Sequence, residues 1–330
     1  MNQLLYFIQS FDLAVVIALA LLLDRLLGEP KKFHPLIGFG NIAAWFERKL
    51  NRHFEDSNAR FYGVLAWSIV VLPLPAAIYW ASHCIVEYGI ENSKHMLTLE
   101  VFSLLFDSVL LYLIIGLTSL KQHAMQIYRP LSNGDLPMAR HFTGYLVSRD
   151  TSALSTQQMS RATVESMLEN GHDAVIASLF YYAIGGIELA LIHRLANTLD
   201  AMWGYKNKRF NDFGCFTARM DDVLGLVSGK VTVCCYAIQG KLLSSVRNAF
   251  VQGNQYKSHN GGWVMAAGAT VLNIKLGGSA IYHGKTHHSV QLGEGDNVTR
   301  QDIVRSITLV QRASLVLLLV VSITQILLTF

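Results

Sequence analysis

Glu165 and Glu169 stand one helical turn apart in the segment Arg149 to Asp173, RDTSALSTQQMSRATVESMLENGHD. Two carboxylates at that spacing can hold Mg²⁺, which takes oxygen ligands and commonly bridges to substrate phosphates. Ser155 followed three residues later by Gln158 suits a capping box, so a helix is expected from there to Asn170–Gly171. At about 100° per residue, Arg161, Glu165, Glu169 and His172 then fall on one face. The alternative is a solvated face with an Arg161–Glu165 pair contributing roughly 0.2–0.5 kcal/mol. The face runs straight into an apolar segment, and both readings stand.

Asn197 to Asp222, NTLDAMWGYKNKRFNDFGCFTARMDD, gathers Asp200, Lys206, Lys208, Arg209, Asp212, Arg219, Asp221 and Asp222 around five aromatic residues. No helical or strand period fits these positions, so the segment reads as a structured loop. Its carboxylates could bind metal and its cations phosphate or carboxylate; surface ion pairs on a juxtamembrane loop are the alternative. Gly28 to Gly38, GEPKKFHPLIG, is a turn in which Lys31, Lys32 and His34 could meet an anion or merely anchor the chain beside a membrane. Asn260 to Gly284 is glycine-rich, suited to close helix packing or to a cradle of backbone amides. His283, His287 and His288 match no zinc spacing and read as a solvated loop. GLVSGKVT at 225–232 is one residue short of a phosphate loop and lies in an apolar run.

These groups must be positioned by elements that are largely apolar. Of 330 residues 52% are apolar and 15% charged, and the mean hydropathy of +0.32 indicates an integral membrane protein. The net charge of +4 is spread along the chain without a basic block, which argues against nucleic acid. The four cysteines have no CxxC spacing and read as small core residues. The start, MNQLLYFIQS, lacks the basic region of a cleavable signal, so its apolar segment is expected to be retained.

Spans are expected at 4–23, 61–86, 101–120 and 313–330, with weaker or re-entrant segments at 174–192 and 223–239. Lys and Arg number seven over 24–61, one over 87–100, five over 118–173, five over 193–222 and seven over 239–306. The positive-inside rule therefore predicts an external N-terminus and a mainly cytoplasmic 118–306. The expected fold is all-α: one polytopic helical membrane domain, 1–330, with cytoplasmic helix and loop motifs forming the site.

The motifs LLDRLLGEPKKFHPLIG (21–38), VSRDTSALS (147–155), VESMLENGHD (164–173), NTLDAMWGYKNKRFNDFG (197–214), ARMDD (218–222) and GGWVMAAGATVLNIKLGGSAIYHG (261–284) together resemble the CobD/CbiB family. These are membrane adenosylcobinamide-phosphate synthases of cobalamin biosynthesis, and the likeness covers nearly the whole chain. Glu29, His172, Ser228-Gly229-Lys230 and Val264 depart from the usual pattern. The resemblance implies a ligase joining (R)-1-amino-2-propanol or its O-phosphate to a propionate carboxylate of adenosylcobyric acid, using ATP and Mg²⁺. It implies Glu165, Glu169, Asp221 and Asp222 as metal ligands and Glu165, Glu169, Asp173 and His172 as catalytic residues, with Asp173 or His172 taking the amine proton. Substrate contacts are implied at His34, Arg149, Asp150, Asn197, Asp200, Tyr205, Lys206, Arg209, Arg219, Trp263, Gly277 and Gly278. Membrane lipid and other corrinoid-pathway membrane enzymes are the implied partners, in a bacterial inner membrane. A related AmpE-like family supplies the other reading, a non-catalytic membrane sensor or transporter. Because the expected spans hold only Asp12 and Asp107 while charge gathers between them, the pattern favours an enzyme over a carrier.

Overall fold

The computed structural model describes residues 2–30, 34–52, 58–91, 96–147, 150–282 and 285–329, with side chains throughout except at 2–9, 89–91, 279–282 and 285–287. In chain order the elements are α1 (Asn2–Leu27), α2 (Pro35–Leu50), α3 (Ala59–Val71), α4 (Pro73–Glu91), α5 (Met96–Ile114), α6 (Leu117–Asn133), α7 (Leu136–Leu146) and α8 (Thr156–Gly171). A π-helical turn, His172–Ile176, leads into α9 (Ala177–Trp203), followed by α10 (Cys215–Ala237), α11 (Leu242–Gln252) and α12 (His259–Leu272). Strands β1 (Ile274–Tyr282), β2 (Lys285–Leu292) and β3 (Asp296–Asn297) precede α13 (Gln301–Thr329).

The protein is a helical, multi-pass membrane protein. Four helical stretches are long and apolar enough to cross a bilayer: Ala59–Tyr88, Met96–Asn133, Thr156–Trp203 and Gln301–Thr329. They enclose the expected spans at 61–86 and 101–120 and the segment 174–192, and cover the expected span at 313–330 as far as Thr329. The first of them breaks at Leu72–Pro73, where proline removes a backbone donor. α9 breaks at Gly185–Gly186, whose backbone leaves the helical region. GLVSGKVT lies wholly within α10, so no phosphate loop forms there.

The chain divides into two compact units, one comprising 1–116, 177–224 and 318–330 and the other 117–176 and 225–317. The core of unit 1 unites α2, α3, α9 and the loop after α9 through Ala43, Trp67, Val70, Leu195, Leu199, Trp203 and Phe213. Leu195, Leu199 and Trp203 recur every four residues, the helical period that buries one face. Gly63 permits the close approach of α3, since a Cβ there would lie 2.0 Å from the Phe213 carbonyl oxygen. Unit 2 packs α6, α7, α8, α11 and α12 with a small sheet of order β2-β1-β3, antiparallel between β1 and β2 and parallel between β1 and β3.

Four local expectations are corrected. The segment 197–222 is not one loop: 197–203 ends α9 and 215–222 begins α10, leaving 204–214 as loop. Its many charges mask the buried helical stripe that continues to Trp203. In the segment 260–284 the expected close helix packing holds, as α12, but 274–282 form a strand after a turn at Asn273 in the left-handed region (φ 58°). His287 and His288 lie on β2 and not in a loop, while His283 lies outside the described residues. Of the cysteines, Cys235 is buried, but Cys84 and Cys234 lie on exposed faces of their helices.

Candidate active site

The capping box forms as expected: the Ser155 amide donates to Gln158 Oε1 (2.8 Å) and the Gln158 amide to Ser155 Oγ (3.3 Å). It fixes the start of α8 and so the rotation of every side chain after it. Met159, Thr163, Met167 and Leu168 are buried on one side. On another, Glu165 and Glu169 line a cavity of about 200 Å³ together with Ser166, Asn170, Tyr256 and Lys257. Acid, amide, phenol and ammonium groups thus border one small polar space in unit 2.

Strand β1 completes the setting of Glu165. The Gly277 amide donates to Glu165 Oε1 at 2.8 Å, beside an irregularity of register between Leu276 and Gly278. Gly277 has φ +74°, and a Cβ there would lie 2.1 Å from the Val290 carbonyl oxygen, so only glycine fits. At Gly278 (φ +83°), a Cβ would lie 3.2 Å from Arg161 Nη1. Of the expected face of Arg161, Glu165, Glu169 and His172, the first three lie by the Gly277–Gly278 backbone or the cavity, whereas His172 leaves the face in the π-helical turn and is buried against Ser228. A carboxylate pair suits Mg²⁺ completed by water and substrate phosphate oxygens. Among the described residues no group of three or more His, Cys, Asp or Glu assembles to hold a metal.

His172 and Asp173 begin the π-helical turn, a wider coil that re-aims the side chains following α8. His172 is 1% exposed; its Nε2 lies 2.9 Å from Ser228 Oγ and its Nδ1 2.7 Å from Asp173 Oδ1. Tyr256 and Lys257, which border the cavity, carry no signal in the sequence, because each is an isolated polar residue in a segment with no motif around it. Trp263 is buried in α12, where its indole donates to Asn254 Oδ1 (2.6 Å) and Lys230 Nζ sits 5.8 Å from its ring centre.

The candidates of unit 1 are arranged differently. Arg209 is closed against Glu47 of α2, Nε to Oε1 at 2.9 Å and Nη2 to Oε2 at 2.7 Å. Asn51 bridges the same two residues, donating to Glu47 Oε1 (3.1 Å) and to the Arg209 carbonyl (2.9 Å). The carboxylate holds the guanidinium pKa above its ordinary value. Asn197 donates to Asp221 Oδ1 (3.1 Å) and accepts from Arg194 (3.2 Å). Asp200 is half-buried near the end of α9, and its carbonyl accepts from the Gly204 amide (2.8 Å). Tyr205, Lys206, Arg219 and Asp222 are exposed. His34 is a helix cap: Nδ1 accepts from the Leu36 amide (3.2 Å) ahead of Pro35, and Nε2 lies 3.5 Å from Glu29. In unit 2, exposed Asp150 accepts from the Ser152 amide (2.9 Å), which lowers its pKa. Arg149, Lys31 and Lys32 lie outside the described residues.

The sequence model of the CobD/CbiB protein family matches residues 17–310. The chain belongs to the CobD/CbiB family. A relative named cobalamin biosynthesis protein CobD, from Stutzerimonas stutzeri, is 42% identical over 294 residues, covering 88% of this chain and 91% of the relative. Proteins of the same name from Chromobacterium violaceum and Halalkalibacterium halodurans are 40% and 33% identical, each over 91% of this chain and over 92% and 93% of their own lengths. No solved structure matches significantly. Within the CobD/CbiB frame, the match runs through both units and includes α8, β1 and the Glu47–Arg209 pair.

Proposed function

We propose that this CobD/CbiB protein acts in cobalamin biosynthesis as an amide ligase, joining (R)-1-amino-2-propanol or its O-phosphate to a propionate carboxylate of adenosylcobyric acid at the expense of ATP. The observation that carries the reading is the Glu165–Glu169 pair bordering one polar cavity with Lys257. A carboxylate does not acylate an amine unless it gains a leaving group. Attack of a propionate oxygen on the γ-phosphorus of ATP forms an acyl phosphate and releases ADP. The amine nitrogen then attacks the acyl carbon, phosphate leaves, and a base takes the proton from nitrogen.

Mg²⁺, held by Glu165 and Glu169 and by phosphate oxygens, would neutralise phosphate charge. The Gly277 amide donates to Glu165 Oε1 and so orients its carboxylate at the cavity wall. Lys257 supplies positive charge for a phosphoryl oxygen. Asp173, 28% exposed beside buried His172, is the proposed proton acceptor, and His172 anchored on Ser228 holds it in place. Lys206 and Arg219 are proposed substrate contacts of unit 1, and Asp221 and Asp222 are its proposed metal-binding acids. The Lys and Arg distribution supports an inner-membrane protein with its N-terminus outside and this site on the cytoplasmic face.

The test is turnover by the purified full chain with adenosylcobyric acid, ATP, Mg²⁺ and either amine, product being followed by mass. Product that requires ATP, that disappears with chelator and that forms with only one amine is expected. No product from folded protein with either amine overturns the ligase reading.

A further inference from the structure

A second cavity, of about 260 Å³, lies in unit 2 against α13 and is bordered by Arg305, Thr308 and Arg312 together with Val271, Leu272 and Val304. Arg305 is fixed in its wall, donating to the Leu272 carbonyl (2.7 Å) and paired with Asp302, which offsets its charge. Arg312 is exposed, and among the described residues no carboxylate pairs with it. The two arginines are seven residues apart, two helical turns, so they share a face of α13.

The position of Arg312 bears on the kind of anion. The stretch that follows it, Ala313 to Phe330, has no charged side chain. At 1.5 Å per residue that run is about 27 Å long, close to the thickness of a hydrocarbon core. Arg312 therefore stands at headgroup level when α13 spans. On the same face Leu315 follows at helical spacing, 58% exposed. A cation beside exposed apolar surface suits a molecule with a phosphate at one end and acyl chains at the other.

We propose that this cavity binds the headgroup phosphate of an anionic glycerophospholipid, with Arg312 as its cation and the outer face of α13 carrying an acyl chain. The site is independent of the ligase reading. It is tested by native mass spectrometry of the full chain in detergent, titrated with phosphatidylglycerol or phosphatidylcholine, with and without inorganic phosphate. A saturable phosphatidylglycerol adduct is expected, favoured over phosphatidylcholine by about fivefold, reduced to the phosphatidylcholine level by Arg312→Gln and restored by Arg312→Lys. Arg247→Gln, elsewhere in unit 2, should leave the adduct unchanged. Equal retention of both lipids, or an unaltered adduct in Arg312→Gln, overturns the proposal. Displacement of the adduct by inorganic phosphate at equal concentration also overturns it, because the site would then bind a simple anion without using an acyl chain.

Discussion

In unit 1 the guanidinium of Arg209 is closed on both oxygens of Glu47, itself 4% exposed, and Asn51 joins the same two residues. In unit 2 the acids of α8 are half-buried, and Glu165 meets a backbone amide while bordering a polar cavity with Glu169 and Lys257. Both regions are rich in charge, yet in the first the opposite charge that satisfies each group comes from the fold. In the second, Glu165 accepts from a backbone amide and both acids border a polar cavity that a ligand can enter. Ion pairing of the first kind fixes a loop; the second kind is what a phosphate-bridging site requires.

The largest effect that can sharpen this contrast is expected at the cavity. Glu165→Gln and Glu169→Gln should each lower turnover by about 10²-fold or more, the scale of a lost electrostatic group at a reacting phosphate. The side-chain amide introduced by Glu165→Gln keeps an oxygen for the Gly277 amide to donate to, so the melting point of that variant should change little. Turnover and thermal unfolding measured on the same preparations check this. Wild-type turnover by either variant would remove the cavity from the chemistry and break the comparison on its unit 2 side.

Arg209→Ala tests the other side. It leaves the Glu47 carboxylate buried with Asn51 as a remaining partner, a loss of about 1–3 kcal/mol after allowing for the 53% exposure of Arg209. The melting point should fall by several degrees, while turnover per folded molecule stays within about twofold of wild type, as for a substitution away from the reacting groups. A collapse of turnover with no loss of stability would instead make Arg209 a substrate ligand and erase the distinction between the units.

How much of this was legible beforehand follows from the range of each interaction. The capping box and the extent of α8 were readable because they depend on residues three or four apart. The long apolar runs were readable for the same reason. Charge, in contrast, concealed the end of α9 and the start of α10: the eye is drawn to Asp200, Arg219 and Asp222, while the helical period is carried by Leu195, Leu199 and Trp203. The sheet escaped notice because Gly277 and Gly278 break the alternation that marks a strand, and they do so where β1 bulges toward Glu165. Nothing local pairs Glu47 with Arg209 across 162 positions of sequence, or His172 with Ser228 across 56. Such partners are fixed by tertiary packing alone. The same limit let Arg209 look like an anion binder when its guanidinium is engaged within unit 1.

The smallest effect lies in the second pin of the 204–214 loop and decides what the Glu47–Arg209 pair contributes. Arg60 Nε donates to Asp212 Oδ1 at 2.8 Å, as short as the bonds of Arg209, but the two side chains are 72% and 39% exposed. Water screens this pair and competes for both groups, so geometry equal to that of the buried pair should yield a coupling of only about 0.2–1 kcal/mol. A double-mutant cycle of Arg60→Ala and Asp212→Ala, read by unfolding free energy, should give a value in that range that shrinks at about 1 M salt, where the screening length is about 3 Å. The corresponding cycle for Glu47 and Arg209 should give a larger coupling with weaker salt dependence, because the carboxylate is withdrawn from solvent. If the two cycles agree in size, burial of Glu47 is not what gives its pair its strength, and the loop is held equally at both ends by solvent-exposed charge.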